Sequence, residues 1–122
     1  MRQTLATLGV ILLALIQPAI AQDEAKHYSQ KTLLKNWALS RCLGQVYGDA
    51  KTKDDANATA GAYLEFGHQP IEAYDALSAL VTKYVQRNYA SSVGSDLNTM
   101  KCIDLFHSKE LDVLTGRLAK NK

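Results

Sequence analysis

Apolar residues recur at three- and four-residue steps through most of the chain after residue 29, which is the spacing of amphipathic helices. No apolar–polar alternation longer than four residues indicates a β-strand, and no internal repeat is present. The pattern therefore predicts an all-α fold, a compact five-helix domain.

The first two predicted helices differ in the bulk of their apolar faces. Ser29 is expected to cap a first helix that runs to about Tyr47, and Gly48-Asp49 is expected to end it. Its apolar face comprises Leu34, Trp37, Ala38, Cys42 and Val46. Asp54 or Asp55 is expected to cap a second helix over about 55–66. Its face comprises Ala56, Ala60, Tyr63 and Leu64, and the alanines allow a neighbouring helix to come close.

The third predicted helix has the clearest helical period. Gly67 ends the preceding helix, Pro70 suits the first turn, and the helix is expected to run to about Asn88. Its core stripe comprises Ile71, Tyr74, Leu77, Val81, Tyr84 and Val85. Its solvent side comprises Glu72, Asp75, Thr82, Lys83 and Gln86.

Two shorter helices complete the prediction. Ser95 or Asp96 is expected to cap the fourth, with Leu97, Met100, Ile103 and Phe106 toward the core. Ser108 is expected to cap the fifth, with Leu111, Leu114 and Leu118 toward the core, and Thr115-Gly116 is expected to weaken its end.

The segment 1–21 has the three parts of a secretory signal peptide. Arg2 supplies the positive charge, residues 5–16 are mostly apolar, and Ala19-Ile20-Ala21 provides the small residues of a cleavage site. A membrane-spanning helix needs about 20 apolar residues, so this stretch is too short for an anchor. We expect cleavage after Ala21, which leaves a mature domain of 22–122 without a membrane span.

Composition and charge limit the classes of binding partner that we expect for this chain. A chain of 122 residues with 47% hydrophobic residues suits a single globular domain. There are 14 basic and 12 acidic residues, and removal of Arg2 with the leader lowers the net charge from +2 to +1. The basic residues are also scattered, so nucleic acid is not the expected partner.

The two cysteines, Cys42 and Cys102, are expected to form a disulfide, because an exported protein meets an oxidising environment. Such a bridge closes a loop of about 60 residues, worth about 4 kcal/mol in the chain-entropy model. A metal site or a free nucleophilic thiol is the alternative, but neither cysteine has neighbouring residues at metal-ligand spacing.

No sequence motif of catalysis, cofactor binding or metal binding is present, so we expect a binding protein without enzymatic activity. The three histidines, His27, His68 and His107, each have an ordinary structural explanation. Two alternatives stay open: a small periplasmic enzyme that uses His107 with Asp104, and a carrier of a small molecule in the helical core.

The segment 88–95 is the best candidate for a binding site. It is small, polar and without helical period, and long connections between helices often carry function. Its lack of bulk suits entry into a narrow groove. Its members are Asn88, Tyr89, Ala90, Ser91, Ser92, Val93, Gly94 and Ser95.

Three segments, 31–43, 65–74 and 100–106, together resemble a known family. They contain W-x4-C, an aromatic-Gly-x2-Pro motif, and a second cysteine followed by an aromatic residue. With the leader, this ordered set is similar to the periplasmic immunity proteins of type VI secretion that neutralise class-four peptidoglycan amidase effectors. The resemblance spans about 29–118.

The resemblance implies an all-helical, non-enzymatic protein of the periplasm. Its partner would be a cognate peptidoglycan amidase effector, whose active-site cleft it occludes to protect the producer and its sister cells. Such proteins are usually homodimers, which implies a 2:2 complex. A protruding loop enters the amidase cleft in that family, and the matching loop here would be 88–95, beside the solvent side of the third helix.

Overall fold

The computed structural model describes residues 24–120, so the leader predicted over 1–21 lies outside the described residues. From residue 30 onward the described chain forms five α-helices and no β-strand. This confirms the predicted all-α fold. The helices are α1 (Gln30–Val46), α2 (Ala50–Glu65), α3 (Ile71–Val85), α4 (Asn98–His107) and α5 (Lys109–Lys120).

Helix α1 is the centre of the domain, because it contacts each of the other four helices. The Ser29 side chain caps it by accepting a hydrogen bond from the Thr32 amide at 3.1 Å, as predicted. The predicted face of α1 is buried except at Val46, which is partly buried, and other helices add large aliphatic side chains to the same core. These are Leu77 and Val81 from α3, Leu105 from α4 and Leu111 from α5, each fully buried.

Small side chains let α2 approach α1 closely. Ala56 and Ala60 are buried against α1, as the alanine pattern predicted. A Cβ atom added at Gly44 of α1 would lie 3.0 Å from the Asn57 side-chain oxygen. Arg41 of α1 donates a 2.7 Å hydrogen bond to that same oxygen. The contact between α1 and α2 therefore combines close packing of small side chains with a hydrogen bond between Arg41 and Asn57.

The start of α2 differs from the prediction. The Asp49 side chain, rather than Asp54 or Asp55, accepts the capping hydrogen bond from the Thr52 amide at 2.9 Å. Hydrogen bonds from the Thr52 side chain and, secondly, from its backbone amide lower the pKa of Asp49. The helix starts earlier than expected, at Ala50, because Asp49 caps it immediately after α1 ends.

The turn between α2 and α3 contains the aromatic-Gly-x2-Pro motif, and Trp37 of the W-x4-C motif packs close to it. Trp37 and Tyr74 pack edge to face with ring centroids 5.1 Å apart, and burial raises the pKa of Tyr74. The Tyr74 hydroxyl lies where a side chain at Gly67 would stand. Gln30 accepts from the His68 amide at 2.8 Å and donates to the Phe66 carbonyl at 3.2 Å. Trp37, Gly67 and Tyr74 are therefore packed together at the corner between α2 and α3.

The inward face of α4 also differs from the prediction. Lys101, Cys102 and Leu105 are buried, whereas Met100 and Ile103 are about half exposed. Each three-residue step turns a helix by about 300°, so the predicted series of three such steps drifts halfway around the axis. The disulfide decides the orientation, because it requires Cys102 to face α1.

Helix α5 starts as predicted and ends later. Ser108 accepts a hydrogen bond from the Leu111 amide at 3.1 Å. Thr115 does not weaken the helix end, because its buried hydroxyl donates to the Leu111 carbonyl at 2.7 Å and the helix continues to Lys120. Lys31 of α1 pairs with Asp112 at 2.7 Å and lowers the pKa of that carboxyl.

The predicted disulfide joins Cys42 of α1 to Cys102 of α4, with Cα atoms 5.6 Å apart. Both residues are fully buried. The pairing fixes α4, and with it the connection that precedes α4, to the central helix.

Candidate functional site

The connection between α3 and α4 covers residues 86–97 and contains the predicted loop 88–95. It is longer than predicted at both ends, because α3 ends at Val85 and α4 begins only at Asn98. Leu97, expected inside the fourth helix, precedes it instead in a left-handed conformation with φ of 51°. Ser95 does not cap α4, since its hydroxyl accepts from the Leu97 amide at 3.1 Å.

The tip of the loop is exposed and uncharged. Val93 is 82% exposed, the highest fraction among the large hydrophobic side chains of residues 24–120. The Ser91 hydroxyl accepts from the Val93 amide at 3.2 Å, and Gly94 has a positive φ of 72° that suits glycine. The local bonding therefore forms a turn that presents one small apolar side chain among serine hydroxyls.

The first end of the loop is attached to α3 and α4 by two contacts. The Arg87 guanidinium stacks over the Tyr84 ring at 3.6 Å. The Tyr89 hydroxyl donates a 2.5 Å hydrogen bond to the Asp104 carboxylate, which raises the pKa of Tyr89. Arg87 also bonds the Tyr89 side chain, which raises the pKa of Arg87. These groups form one small polar network at the surface.

The second end is attached to the end of α1. Asn98 donates a 3.4 Å hydrogen bond to the Val46 carbonyl and accepts 3.0 Å from the buried Lys101 ammonium. The Tyr47 and Thr99 hydroxyls also hydrogen-bond to each other. The loop thus leaves and re-enters the body at points held by side chains, and its tip projects between them.

One helix carries anchors for both ends. Asp104 holds the first end, Asn98 holds the second, and Cys102 lies between them on α4. The disulfide therefore fixes the element from which the loop is held. Sequence reasoning missed these anchors, because they join residues 15 and 52 positions apart.

The solvent side predicted for the third helix is exposed in the structure. Its five members, Glu72, Asp75, Thr82, Lys83 and Gln86, are all exposed. Ile71 is an exception among the predicted core residues of that helix, with 65% of its surface exposed, because the first turn of α3 extends past the core. Leu64, at the end of α2, is similarly 40% exposed.

The groups required by the alternative enzyme hypothesis lie on α4. His107 is exposed at the end of that helix, and the Asp104 carboxylate is engaged by Tyr89. Glu110 lies beyond the Ser108 cap and pairs with Lys83 at 2.7 Å. Within residues 24–120, no three acidic, histidine or cysteine side chains gather as a metal site.

The surface of the described residues carries several grooves, one of which lies beside the loop. One, of about 480 Å³, lies beside the loop and includes Leu97, Met100 and Ile103 in its lining. A second, of about 440 Å³, lies between α3 and α5. A third, of about 240 Å³, lies between the residues before α1 and α2, and Tyr28, Tyr63 and Phe66 contribute its aromatic lining.

None of the helices described between residues 24 and 120 is long and apolar enough to cross a membrane.

A disulfide-bridged helical body that presents an anchored, uncharged loop defines a small binding protein. Residues 32–115 match the model of the Tai4 family, the amidase immunity proteins of the type VI secretion system. The chain belongs to this family.

Solved structures agree with this assignment. The chain shares 50% identity with a protein in the structure of the Tae4/Tai4 effector–immunity system of Salmonella typhimurium, with a TM-score of 0.74 over 83% of this chain and 96% of that one. It shares 34% identity, with a TM-score of 0.76, over 90% of this chain and 89% of a chain from a study of type VI-secreted toxins and self-resistance proteins of Serratia marcescens.

The same fold also occurs in a solved structure of lower sequence identity. A chain from the complex of Salmonella typhimurium Tae4 with Enterobacter cloacae Tai4 superposes with a TM-score of 0.65 at 23% identity, over 74% of this chain and 93% of that one. Among curated protein sequences, none matches this chain at a significant level.

Proposed function

We propose that the chain binds a type VI peptidoglycan amidase effector in the periplasm and blocks its active-site cleft with the loop 88–95. The single observation that carries the proposal is the presentation of Val93, 82% exposed, on a loop whose two ends are held by side chains. Its solved relatives come from Tae4–Tai4 effector–immunity systems and complexes, which supports the amidase as partner.

The shape of the loop suits a narrow cleft. Residues 88–95 carry no charge, so their burial in a complex avoids the large cost of desolvating an ion. Backbone groups and serine hydroxyls can pair with polar atoms in the cleft, and Val93 can occupy an apolar subsite. Because the anchors order the loop before binding, the complex loses less conformational entropy as it forms.

Inhibition by occupation of a cleft needs no turnover by this chain, so we propose that it is not an enzyme. The disulfide supports an oxidising compartment, and the leader-like segment 1–21 supports export into the periplasm. An inhibitor that competes with cell-wall substrate needs a dissociation constant of about 1 nM or below, equivalent to about 12 kcal/mol. We further propose that two copies of the chain bind two amidases.

The loop is tested by Val93→Asp, which places a carboxylate at the tip. We expect the variant to bind the cognate amidase at least about 100-fold more weakly, because a carboxylate without a partner would be buried in the complex. Amidase activity on muropeptides, measured against inhibitor concentration, gives the affinity. Ala58→Asp, an equivalent change at an exposed position on α2, is the matched control and should inhibit like the natural chain.

A deletion of residues 91–94 provides the complementary test. We expect the deletion to abolish inhibition while the helical circular dichroism spectrum remains. Unchanged inhibition by both the Val93→Asp variant and the deletion would remove the loop from the mechanism. Release of product from muropeptides by the chain alone, lost in His107→Ala, would instead support the enzyme alternative.

A further inference from the structure

Helix α4 carries apolar side chains on two opposite sides. Cys102 and Leu105 face the core and are fully buried, whereas Met100 and Ile103 are 47% and 50% exposed. Because each residue advances about 100° around a helix axis, the second pair lies roughly opposite the first. A helix that packs only on its own core needs a single apolar side. The second apolar side of α4 therefore needs a reason outside the core.

The exposed side of α4 forms one wall of the groove of about 480 Å³ that lies beside the loop. Ser95 and Leu97, from the connection between α3 and α4, line the same groove. Two residues of chain span at most about 7 Å, so the groove begins within that distance of Val93 at the loop tip. The groove is therefore continuous with the surface proposed to enter the amidase cleft.

Exposed apolar side chains are concentrated in this part of the molecule. Seven large hydrophobic side chains are exposed within residues 24–120, and three of them are Val93, Met100 and Ile103. Apolar side chains scattered singly over a surface are ordinary, whereas a group of them marks an interaction surface. The group here extends from the loop tip to the exposed side of α4.

The loop alone is too small for the affinity that inhibition requires. A stable interface uses about 20–30 residues of each partner and buries about 800 Å² on each side. The loop 88–95 supplies eight residues, so other parts of the chain must also contact the amidase. A protein that encloses the loop tip also approaches the surface from which the loop projects, and the groove lies in that surface.

We propose that the groove lined by Leu97, Met100 and Ile103 is a second contact surface for the amidase. It receives an apolar side chain from the rim of the amidase cleft, while the loop occupies the cleft itself. Met100 suits this contact, because its flexible side chain adapts to the shape of the group against which it packs. The inference rests on the proposed function, since the loop brings the rim to the groove.

Glutamine at two positions of α4 tests the groove by mutation. Met100→Gln and Ile103→Gln keep a side chain of similar size and a high helix propensity, but each places a polar amide in the groove. We expect each variant to inhibit the amidase about tenfold less well, because apolar burial is lost and the amide is desolvated in the complex. Amidase activity on muropeptides at increasing inhibitor concentration measures the change.

Leu64→Gln is the matched control for these variants. Leu64 is 40% exposed at the end of α2, which lies at the start of α1, where Gln30 bonds the Phe66 carbonyl. The groove lies at the other end of α1, where Asn98 bonds the Val46 carbonyl. The control makes the same kind of change far from the groove, so it should inhibit like the natural chain.

A methyl signal tests the contact without any substitution. The sequence contains two methionines, Met1 and Met100, so a chain that begins at residue 22 has only one. Its methyl group, labelled with carbon-13, gives a single methionine signal in an NMR spectrum. Addition of the amidase should replace that signal with a shifted one, and the replacement should be complete at one amidase per copy of the chain.

Several outcomes would overturn the proposal. They are an unchanged methyl signal at saturating amidase, natural inhibition by either glutamine variant, and equal weakening in Leu64→Gln. If a glutamine variant changes the sedimented mass of the free chain, the groove joins copies of this chain, and the proposal is wrong. Val93→Asp is read separately: natural inhibition by that variant contradicts the loop mechanism, whereas natural inhibition by Met100→Gln or Ile103→Gln contradicts the groove alone.

Discussion

At the scale of single residues, the sequence motifs that mark the family have structural roles. Trp37, Gly67 and Tyr74 lie together at the corner between α2 and α3, and Cys42 and Cys102 form the bridge. None of these five residues lies in the loop proposed to bind the amidase. The family motifs therefore identify the helical domain that supports the loop. They do not identify the loop, because its composition is common among connections between helices.

Gly67 shows how strictly this corner is packed. In Gly67→Ala the new methyl group would overlap the Tyr74 hydroxyl, so we expect a loss of about 1–3 kcal/mol in the free energy of unfolding. Gly61→Ala is the matched control, because a Cβ there meets nothing within 4 Å and alanine favours the interior of α2. It should add about 0.5–1 kcal/mol. Urea denaturation followed by circular dichroism measures both, and equal effects would contradict the packing argument.

Single residues also explain where sequence reasoning failed. The predicted caps Ser29 and Ser108 were confirmed, because a serine before a periodic segment acts locally. The cap of α2 was assigned wrongly, because Asp49, Asp54 and Asp55 are all chemically suitable. Only the position of α2 against α1 selects among them, and that position depends on contacts between distant parts of the chain.

At the scale of helices, α4 is the element that the sequence predicted least well and that matters most for the site. The spacing of its apolar residues correctly predicted that the helix exists, but the inward face predicted from the same spacing was wrong. The side chains that anchor the loop, Asn98 and Asp104, are polar and gave no periodic signal. Their partners are far along the chain, so a pattern within one segment could not reveal them. The loop was predicted from its composition, and the way it is held was not.

The attachment of the loop to α4 gives a prediction at this scale. Tyr89→Phe removes the hydroxyl bonded to Asp104 and keeps the aromatic ring. Because one hydrogen bond contributes about 1 kcal/mol, we expect inhibition of the amidase to weaken about fivefold and the melting temperature to fall by no more than about 4–8 °C. Inhibition assays and thermal unfolding measure the two quantities.

Asp104→Asn is the companion variant for this bond. Its amide oxygen can still accept a hydrogen bond from Tyr89, so it should retain more inhibition than Tyr89→Phe. The double variant should be no weaker than Tyr89→Phe alone, because the two residues act through one contact. Additive losses would show that Tyr89 and Asp104 act independently of each other.

At the scale of the whole molecule, the disulfide links the central helix to the helix that holds the loop. The bridge joins residues 60 positions apart, so the chain-entropy model assigns it about 4 kcal/mol of stability. Replacing both cysteines with alanine should lower the free energy of unfolding by about that amount. Denaturation of the natural chain with and without reductant measures the same quantity independently.

The bridge also gives a functional expectation. Because it fixes α4, its loss should weaken inhibition of the amidase even where most molecules remain folded. Hydrogen exchange of the amides in α4 and in the loop 86–97 would report that loosening directly. Equal protection in the bridged and cysteine-free chains would limit the role of the bridge to global stability.

The uncharged loop tip has a consequence for the speed of capture. The net charge of the whole sequence is only +2, and residues 88–95 contribute nothing to it. Encounter with a toxin is therefore not accelerated by long-range attraction, and the expected association rate is of the order of 10⁵–10⁶ M⁻¹s⁻¹. At such a rate, the concentration of this protein in the periplasm at the moment the toxin arrives determines how quickly the toxin is bound. Protection of the cell then depends on continuous synthesis of this protein before any toxin is present.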